Sequence, residues 1–387
     1  MNSESFAHLM NLVAKPDAVM ARGQGAYIWD DRGKRYLDFV QGWAVNCLGH
    51  CPPELSAALS RQSGELISAS PAYHNAPALE LGARLARVSG LPKVFLASTG
   101  AEANEGAIKL ARKWGKLHRG GAFEIVTTLN GFHGRTLATM AATGKPGWDA
   151  MFPPAFPGFV KVPFGDAAAA EAAIGPNTVA IMVEPIQGEA GVVVPSAGYL
   201  RSLRELADRR ELLLIADEVQ TGVGRTGTLF AHQHDGVAVD VMTLGKGLGG
   251  GVPLAALLAS ERASCFERGE QGGTFVGNAF TAAAGLAVLD AIMADGFLDR
   301  VVARGARLCA GLAALTPAVV EVRGRGLLVA ARLDAARAER VRDVAFELGL
   351  LLNAVRPDTL RFMPPLNLED EEIDEMLALL RQALDAT

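Results

Sequence analysis

The spacing of apolar residues changes period along this chain. Near the start, Phe6, Leu9, Met10 and Val13 fall at i, i+3, i+4 and i+7, which predicts a short amphipathic helix rather than a secretory leader. Two strand-like runs follow, 26–29 and 35–39, separated by the polar turn Asp30-Asp31-Arg32-Gly33, a hairpin signal. Beyond about residue 50, short apolar runs alternate with helical stretches. Strands are expected at 93–97, 124–128, 179–184, 212–216, 239–244 and 254–260, and helices at 101–118, 197–209 and 278–294. The run Leu212-Leu213-Leu214-Ile215-Ala216 is apolar at every position, as a strand covered on both faces must be. Past residue 295 the pattern becomes two long helices interleaved with short strands at 319–322, 327–332 and 359–363. The last helix gathers Ile373, Met376, Leu377, Leu380 and Leu384 on one face.

These periods predict an α/β fold. A large unit, 51–294, would carry a mostly parallel central sheet between helices, and a smaller α+β unit would be built from both chain ends, 1–50 and 295–387. No internal repeat, low-complexity tract or long linker interrupts the pattern.

Composition narrows the function classes. Half of the 387 residues are apolar and 20% are charged, which suits a large buried core. A net charge of −5 leaves no electrostatic footprint for nucleic acid or an anionic membrane. No apolar stretch reaches the roughly 18 residues of a membrane helix, so a cytoplasmic protein is expected. Cys47 and Cys51 flank His50, but no second pair stands at finger-like spacing. Together with Cys265 and Cys309 they are expected to be reduced thiols, with no metal bound.

The lysines carry the first chemical signal. Nine of the 37 cations are Lys, and beyond Lys161 the only one is Lys246. A guanidinium stays charged and cannot attack a carbonyl, whereas a lysine amine of lowered pKa can form a Schiff base. Lys246 follows an apolar strand and lies in Gly245-Lys246-Gly247-Leu248-Gly249-Gly250-Gly251, where glycines let the backbone approach a bulky ligand. Taken alone, it could be an exposed loop lysine. The run Asp217-Glu218-Val219-Gln220 leaves the buried strand at its carboxyl edge, where open α/β sheets bind ligands. A carboxylate there can hold a pyridinium nitrogen protonated, and it can equally cap a helix. The segment Ser98-Thr99-Gly100-Ala101-Glu102-Ala103-Asn104-Glu105 turns from a strand into a strong helix whose free N–H groups suit a phosphate, or simply a capping box. This strand-to-helix turn holds neither GxGxxG nor a Walker lysine, against a dinucleotide or nucleoside triphosphate there. Together, anion seat, acid and lysine supply the three handles of pyridoxal 5'-phosphate.

With Phe132-His133-Gly134-Arg135, Glu184-Pro185-Ile186-Gln187-Gly188-Glu189 and Thr274, these motifs resemble the class III aminotransferases of fold type I. The likeness runs from about Gly23 to the last helix. Within that family the chain is most similar to the group acting on N-acetylornithine in arginine biosynthesis. The resemblance implies that Gly100 and Ala101 bind the cofactor phosphate and that Phe132 and Val219 cover the two ring faces. It implies that Asp217 pairs with the ring nitrogen, with Glu218 and Gln220 beside it and Gln220 on the phenolic oxygen. Thr274 would reach the phosphate of a neighbouring subunit, which implies a homodimer with shared sites. Arg135 would grip a substrate carboxylate. Glu189 and Arg361 would form a switch, paired for one substrate and parted when Arg361 takes the second carboxylate of 2-oxoglutarate or glutamate. Trp43 and Gly273, at substrate-facing positions, depart from the family's usual smaller aliphatic and hydroxyl residues. The implied reaction converts the terminal amine of N-acetylornithine to N-acetylglutamate semialdehyde. Ornithine, succinylornithine or 4-aminobutyrate as amine, and aminomutase or decarboxylase chemistry, are the other readings.

Overall fold

The computed structural model of the chain describes residues 8–10, 12–13 and 15–387. At its centre is a seven-stranded sheet in the order Lys93–Ala97, Ala255–Ala259, Val241–Leu244, Leu213–Asp217, Thr178–Val183, Glu124–Thr128, Phe159–Val162. Ala255–Ala259 is antiparallel to both neighbours, and the remaining pairs are parallel. The four middle strands, from Ala255–Ala259 to Thr178–Val183, are buried at every residue. Helices on both faces account for that burial, and unbroken apolar runs are its sequence signature. Strands 93–97 and 124–128 match the expected bounds.

The register decides where chemistry can gather. Asp217 pairs with Thr243, Leu244 with Ala256, and Ala255 with Ala97. The residues after Ala97, Asp217 and Leu244 therefore emerge at one edge of the sheet.

Two four-stranded sheets flank the centre. In one, the hairpin Tyr27–Asp30/Arg35–Asp38 is extended by Met20–Gln24 on one side and by Leu350–Leu351 on the other. Leu350 pairs with Leu37, so the two chain ends meet in this sheet. Asp30 closes the hairpin by accepting from the N–H groups of Arg32 and Lys34. The other sheet joins Val319–Arg325, Leu328–Leu333, Thr359–Phe362 and Asn353–Arg356.

Several expectations are corrected. Three helices, not two, follow residue 295: Phe297–Ala313, Ala338–Glu347 and Asp370–Asp385. Helices Pro53–Glu65 and Ala76–Ser89 also form where Pro and Ser punctuation hid them. Pro is compatible with a first helical turn, and Asn75 caps the second helix by accepting from Ala78 N. At the N-terminus, Phe6 lies outside the described residues. Leu9, Met10 and Val13 are exposed and carry no helix. A stripe covered by nothing cannot offset the cost of nucleating a helix.

Gln41, Gly42, Trp43 and Ala44 form a left-handed turn, with φ of 47°, 62°, 62° and 69°. L-residues resist this conformation by roughly 1–2 kcal/mol each. The turn is held against the loop after Leu244, where the Cys47 thiol donates to the Gly247 carbonyl at 3.1 Å. Among the described residues no single helix is long and apolar enough to cross a membrane.

Candidate active site

The helix Gly100–His118 begins where strand Lys93–Ala97 ends. Its capping box uses the Thr99 hydroxyl, which accepts from Glu102 N, and the Glu102 carboxylate, which accepts from Ser98 N and Thr99 N. The N–H groups of Gly100 and Ala101 have no partner among the described residues and point from the positive end of the helix. Glycine is required here by close approach: a β-carbon on Gly100 would stand 2.6 Å from Val219 Cγ1. A β-carbon on Gly245 would meet the same Val219 at 3.2 Å and Gly100 Cα at 3.3 Å. Two glycines back to back bring the lysine loop against the helix N-terminus.

Lys246 sits next in that loop with φ +43°, a left-handed conformation unusual for a side chain this long. Burial drives its ammonium down from 10.5 to about 8, with Glu189 resisting the fall and Arg361 adding to it. Lysine beside buried apolar surface is therefore poised to lose its proton.

Asp217 ends its strand buried and fully engaged. Its Oδ2 accepts from Asn104 Nδ2 at 2.8 Å and from the His133 ring at 2.7 Å, and its Oδ1 accepts from Val219 N at 3.0 Å. A carboxylate only accepts, so the shared proton belongs to His133 Nδ1. Asn104 is itself fixed by donating to His133 O and accepting from Thr243 Oγ1. Burial would lower the basicity of His133, but the Asp217 hydrogen bond and charge outweigh it and raise its pKa. His133 Nε2 is buried without a partner among the described residues.

The neighbouring strands add a second group. Phe132 N donates to Glu184 Oε2 at 2.9 Å, and burial pushes the Glu184 carboxyl up to about 7. Phe132 and Val219 are half-buried. Gln220 Oε1 accepts from Arg361 Nη1 at 3.3 Å, and its Nε2 is a buried donor with no partner among the described residues. Gly188 is packed so tightly on Gln220 that a β-carbon would fall 1.6 Å from Oε1.

At the far wall Arg361, only 1% exposed, is no surface cation. It pairs with Glu189 Oε1 at 2.8 Å and donates from Nε to Asn353 Oδ1 at 3.0 Å. Burial alone would raise the Glu189 carboxyl, yet the charges of Arg361 and Lys246 hold it down to about 2. Arg135 lies exposed with its guanidinium 5.3 Å from the Trp148 ring centroid and no acidic partner among the described residues.

Not every expected residue joins this cluster. The Glu218 carboxylate accepts from Thr221 Oγ1, Ala231 N, His232 N and His232 Nδ1, and shares no hydrogen-bond partner with Asp217 among the described residues. Gly273, Thr274 and Trp43 are exposed in the single chain. The sequence motifs give Asn104, His133 and Glu184 no task, and the structure brings all three to Asp217 and Phe132. Glu184 could have been found, since it follows a fully apolar strand just as Asp217 does.

A deprotonatable lysine, a buried acid and a helix N-terminus with two unpaired amides at one sheet edge define a pyridoxal-phosphate enzyme. The residues fit that cofactor, for the glycine cradle leaves the Gly100 and Ala101 amides open and Gln220 Nε2 offers an unused donor. The family model "Aminotransferase class-III" matches residues 11–384, and the chain belongs to the class III aminotransferases. It is 53% identical to acetylornithine aminotransferase 2 of Bordetella bronchiseptica over 96% of this chain and 95% of that one. The N-acetylornithine aminotransferase structure from Stenotrophomonas maltophilia aligns at a TM-score of 0.85, with 39% identity and 96% of each chain covered. The ornithine aminotransferase structure from Toxoplasma gondii aligns at 0.94, with 34% identity over 99% of this chain and 94% of that one.

One pH dependence follows. Only the neutral amine attacks a carbonyl, so apoenzyme mixed with pyridoxal phosphate should acquire its lysine-bound absorbance at a rate rising with pH through about 8 and then levelling. Stopped-flow absorbance measures this, and a midpoint near 10.5 would remove the argument from burial.

Proposed function

We propose that this enzyme transfers the terminal amino group of N-acetylornithine to 2-oxoglutarate, giving N-acetylglutamate semialdehyde and glutamate. The observation that carries the reading is a pair of guanidiniums in unlike states, one open and one held by a carboxylate. Arg135 is open, while Arg361 is closed by Glu189. A substrate with one carboxylate needs only the open cation, by a bidentate fork. A dicarboxylate needs both, and Arg361 must leave Glu189 to serve it. The relatives at 53% and 39% identity named for acetylornithine support the same substrate.

Bound pyridoxal phosphate supplies an electrophilic carbon and an electron-withdrawing ring. The chain's own residues do the rest. With a pKa near 8, the Lys246 amine is neutral in a useful fraction of molecules and can take a proton from the carbon that bears the substrate amine. Asp217, fixed by Asn104 and His133, presents negative charge where a ring nitrogen would sit. Phe132 and Val219 would cover the ring faces, and Gln220 Nε2 would donate to its oxygen. Trp43 and Gly273 shape the amine pocket.

The active unit is a homodimer in the cytoplasm. Ile67, Tyr73, Leu79 and Phe275 are exposed apolar side chains, and the segments that carry them are tied together where Phe280 N donates to Ile67 O and the Asn75 side chain donates from Nδ2 to Gly277 O. Thr274, exposed and next to Phe275 in the chain, would reach the cofactor phosphate of a second copy.

A coupled assay with 2-oxoglutarate and a panel of amines tests the substrate. Acetylornithine should exceed ornithine, succinylornithine and 4-aminobutyrate in second-order rate by about tenfold or more, the discrimination that a shaped pocket provides. A panel led by another amine, or turnover without any keto acid, defeats the proposal. Sedimentation should return twice the 40.6 kDa chain mass, and a monomer would end the dimer reading.

A further inference from the structure

Glu189 carries two cations. Arg361 Nη1 holds Oε1 at 2.8 Å, and Lys145 Nζ donates to Oε2 at 3.4 Å. Lys145 is not a stray surface charge. The backbone before it is clamped, since Asn130 N donates to Gly144 O at 2.9 Å and Gly144 N donates to Gly131 O at 3.0 Å. A β-carbon on Gly144 would stand 2.1 Å from Thr128 O, so the two segments are in van der Waals contact. The Lys145 ammonium then lies 5.1 Å from the Phe132 ring centroid and 5.0 Å from that of Trp148. Its side chain is 26% exposed and that of Glu189 24%, so water screens this pair only in part.

We propose that Lys145 is a positioning residue of the substrate switch: it retains Glu189 when Arg361 departs to bind a dicarboxylate. The inference rests on the reading of Glu189 and Arg361 as a switch, and deepens it. A carboxylate stripped of its only partner in a half-buried wall is costly. Lys145 already touches the oxygen that Arg361 does not use, and its flexible stem lets the ammonium close the remaining distance. Both positions of Arg361 therefore leave Glu189 compensated, and the dicarboxylate half-reaction gains most from this.

The test measures each half-reaction separately on the holoenzyme. Lys145→Gln should raise KM for glutamate and 2-oxoglutarate about tenfold, the scale of one partly buried charge pair, with kcat changed less than about twofold. KM for acetylornithine should stay within about twofold, because that substrate leaves Glu189 and Arg361 paired, and Lys145→Arg should restore the dicarboxylate KM. Equal shifts for both substrates, or none for the dicarboxylates, overturn the proposal. Glu189→Gln separates the two ideas. If the switch exists, this variant frees Arg361, favours dicarboxylates over acetylornithine, and makes Lys145→Gln silent when the two are combined. If Glu189→Gln shows that split and Lys145→Gln shows none, Lys145 alone is misassigned. If Glu189→Gln affects both substrates alike, the switch itself fails.

Discussion

Lys246→Ala should lose both the visible absorbance of lysine-bound cofactor and at least about 10⁴-fold of the turnover, the upper range for removing a positioned base. The loss should be this large because the residue has two tasks, anchoring the cofactor and moving the proton. No neighbouring amine takes them over, since Lys145, also lining the cleft, is engaged with Glu189. Lys246→Arg should be equally inactive. It keeps the charge and most of the length, but a guanidinium neither deprotonates near neutrality nor condenses with a carbonyl. Borohydride reduction followed by peptide mapping gives the direct measurement. A pyridoxyl tag on any other lysine of the wild-type protein would dismantle the assignment.

The second large effect is expected at Asp217. Asn is nearly isosteric there, and its oxygen can still accept from Asn104 or His133, so the fold should survive. What disappears is the negative charge aimed at the ring nitrogen. Removing one preorganised electrostatic contact to a transition state typically costs 10²–10³-fold in rate, and Asp217→Asn should slow both half-reactions by about that factor. Single-turnover rates with acetylornithine and with glutamate should fall together, in contrast to the one-sided effect expected at Lys145. A rate within threefold of wild type in either half would contradict the role given to Asp217. The same variant also deprives His133 of the charge that raises its basicity, so an NMR titration of that ring should move to lower pH.

Much of this was legible in the residues. Fully apolar runs located the buried strands because a strand covered on both faces has no polar side to show. The lone late lysine and the acid after a buried strand marked the reaction centre. Direction was harder to read. Asp217 and Glu218 are adjacent, and successive side chains leaving a strand point to opposite sides. One faces Asn104 and His133, the other Ala231 and His232. Treating the pair as one motif hid that alternation. Asn104, His133 and Glu184 escaped assignment because their importance depends on contacts separated by 113, 84 and 52 residues along the chain. Helices Pro53–Glu65 and Ala76–Ser89 were missed because prolines that open a helix look, in a bare sequence, like residues that break one.

The left-handed turn at Gln41–Ala44 has a bearing on how the enzyme can be divided. A stretch of chain kept in an unfavourable shape relaxes as soon as its supports go, and here the supports are the flanking sheet on one side and the lysine loop on the other. The tension runs both ways, because Cys47 fastens the same loop that fixes Lys246. Residues 20–50 therefore belong to the reaction centre as firmly as the central sheet does. A fragment trimmed to that sheet would keep Lys246 and Asp217, but it would lose Arg361 and the support of the lysine loop.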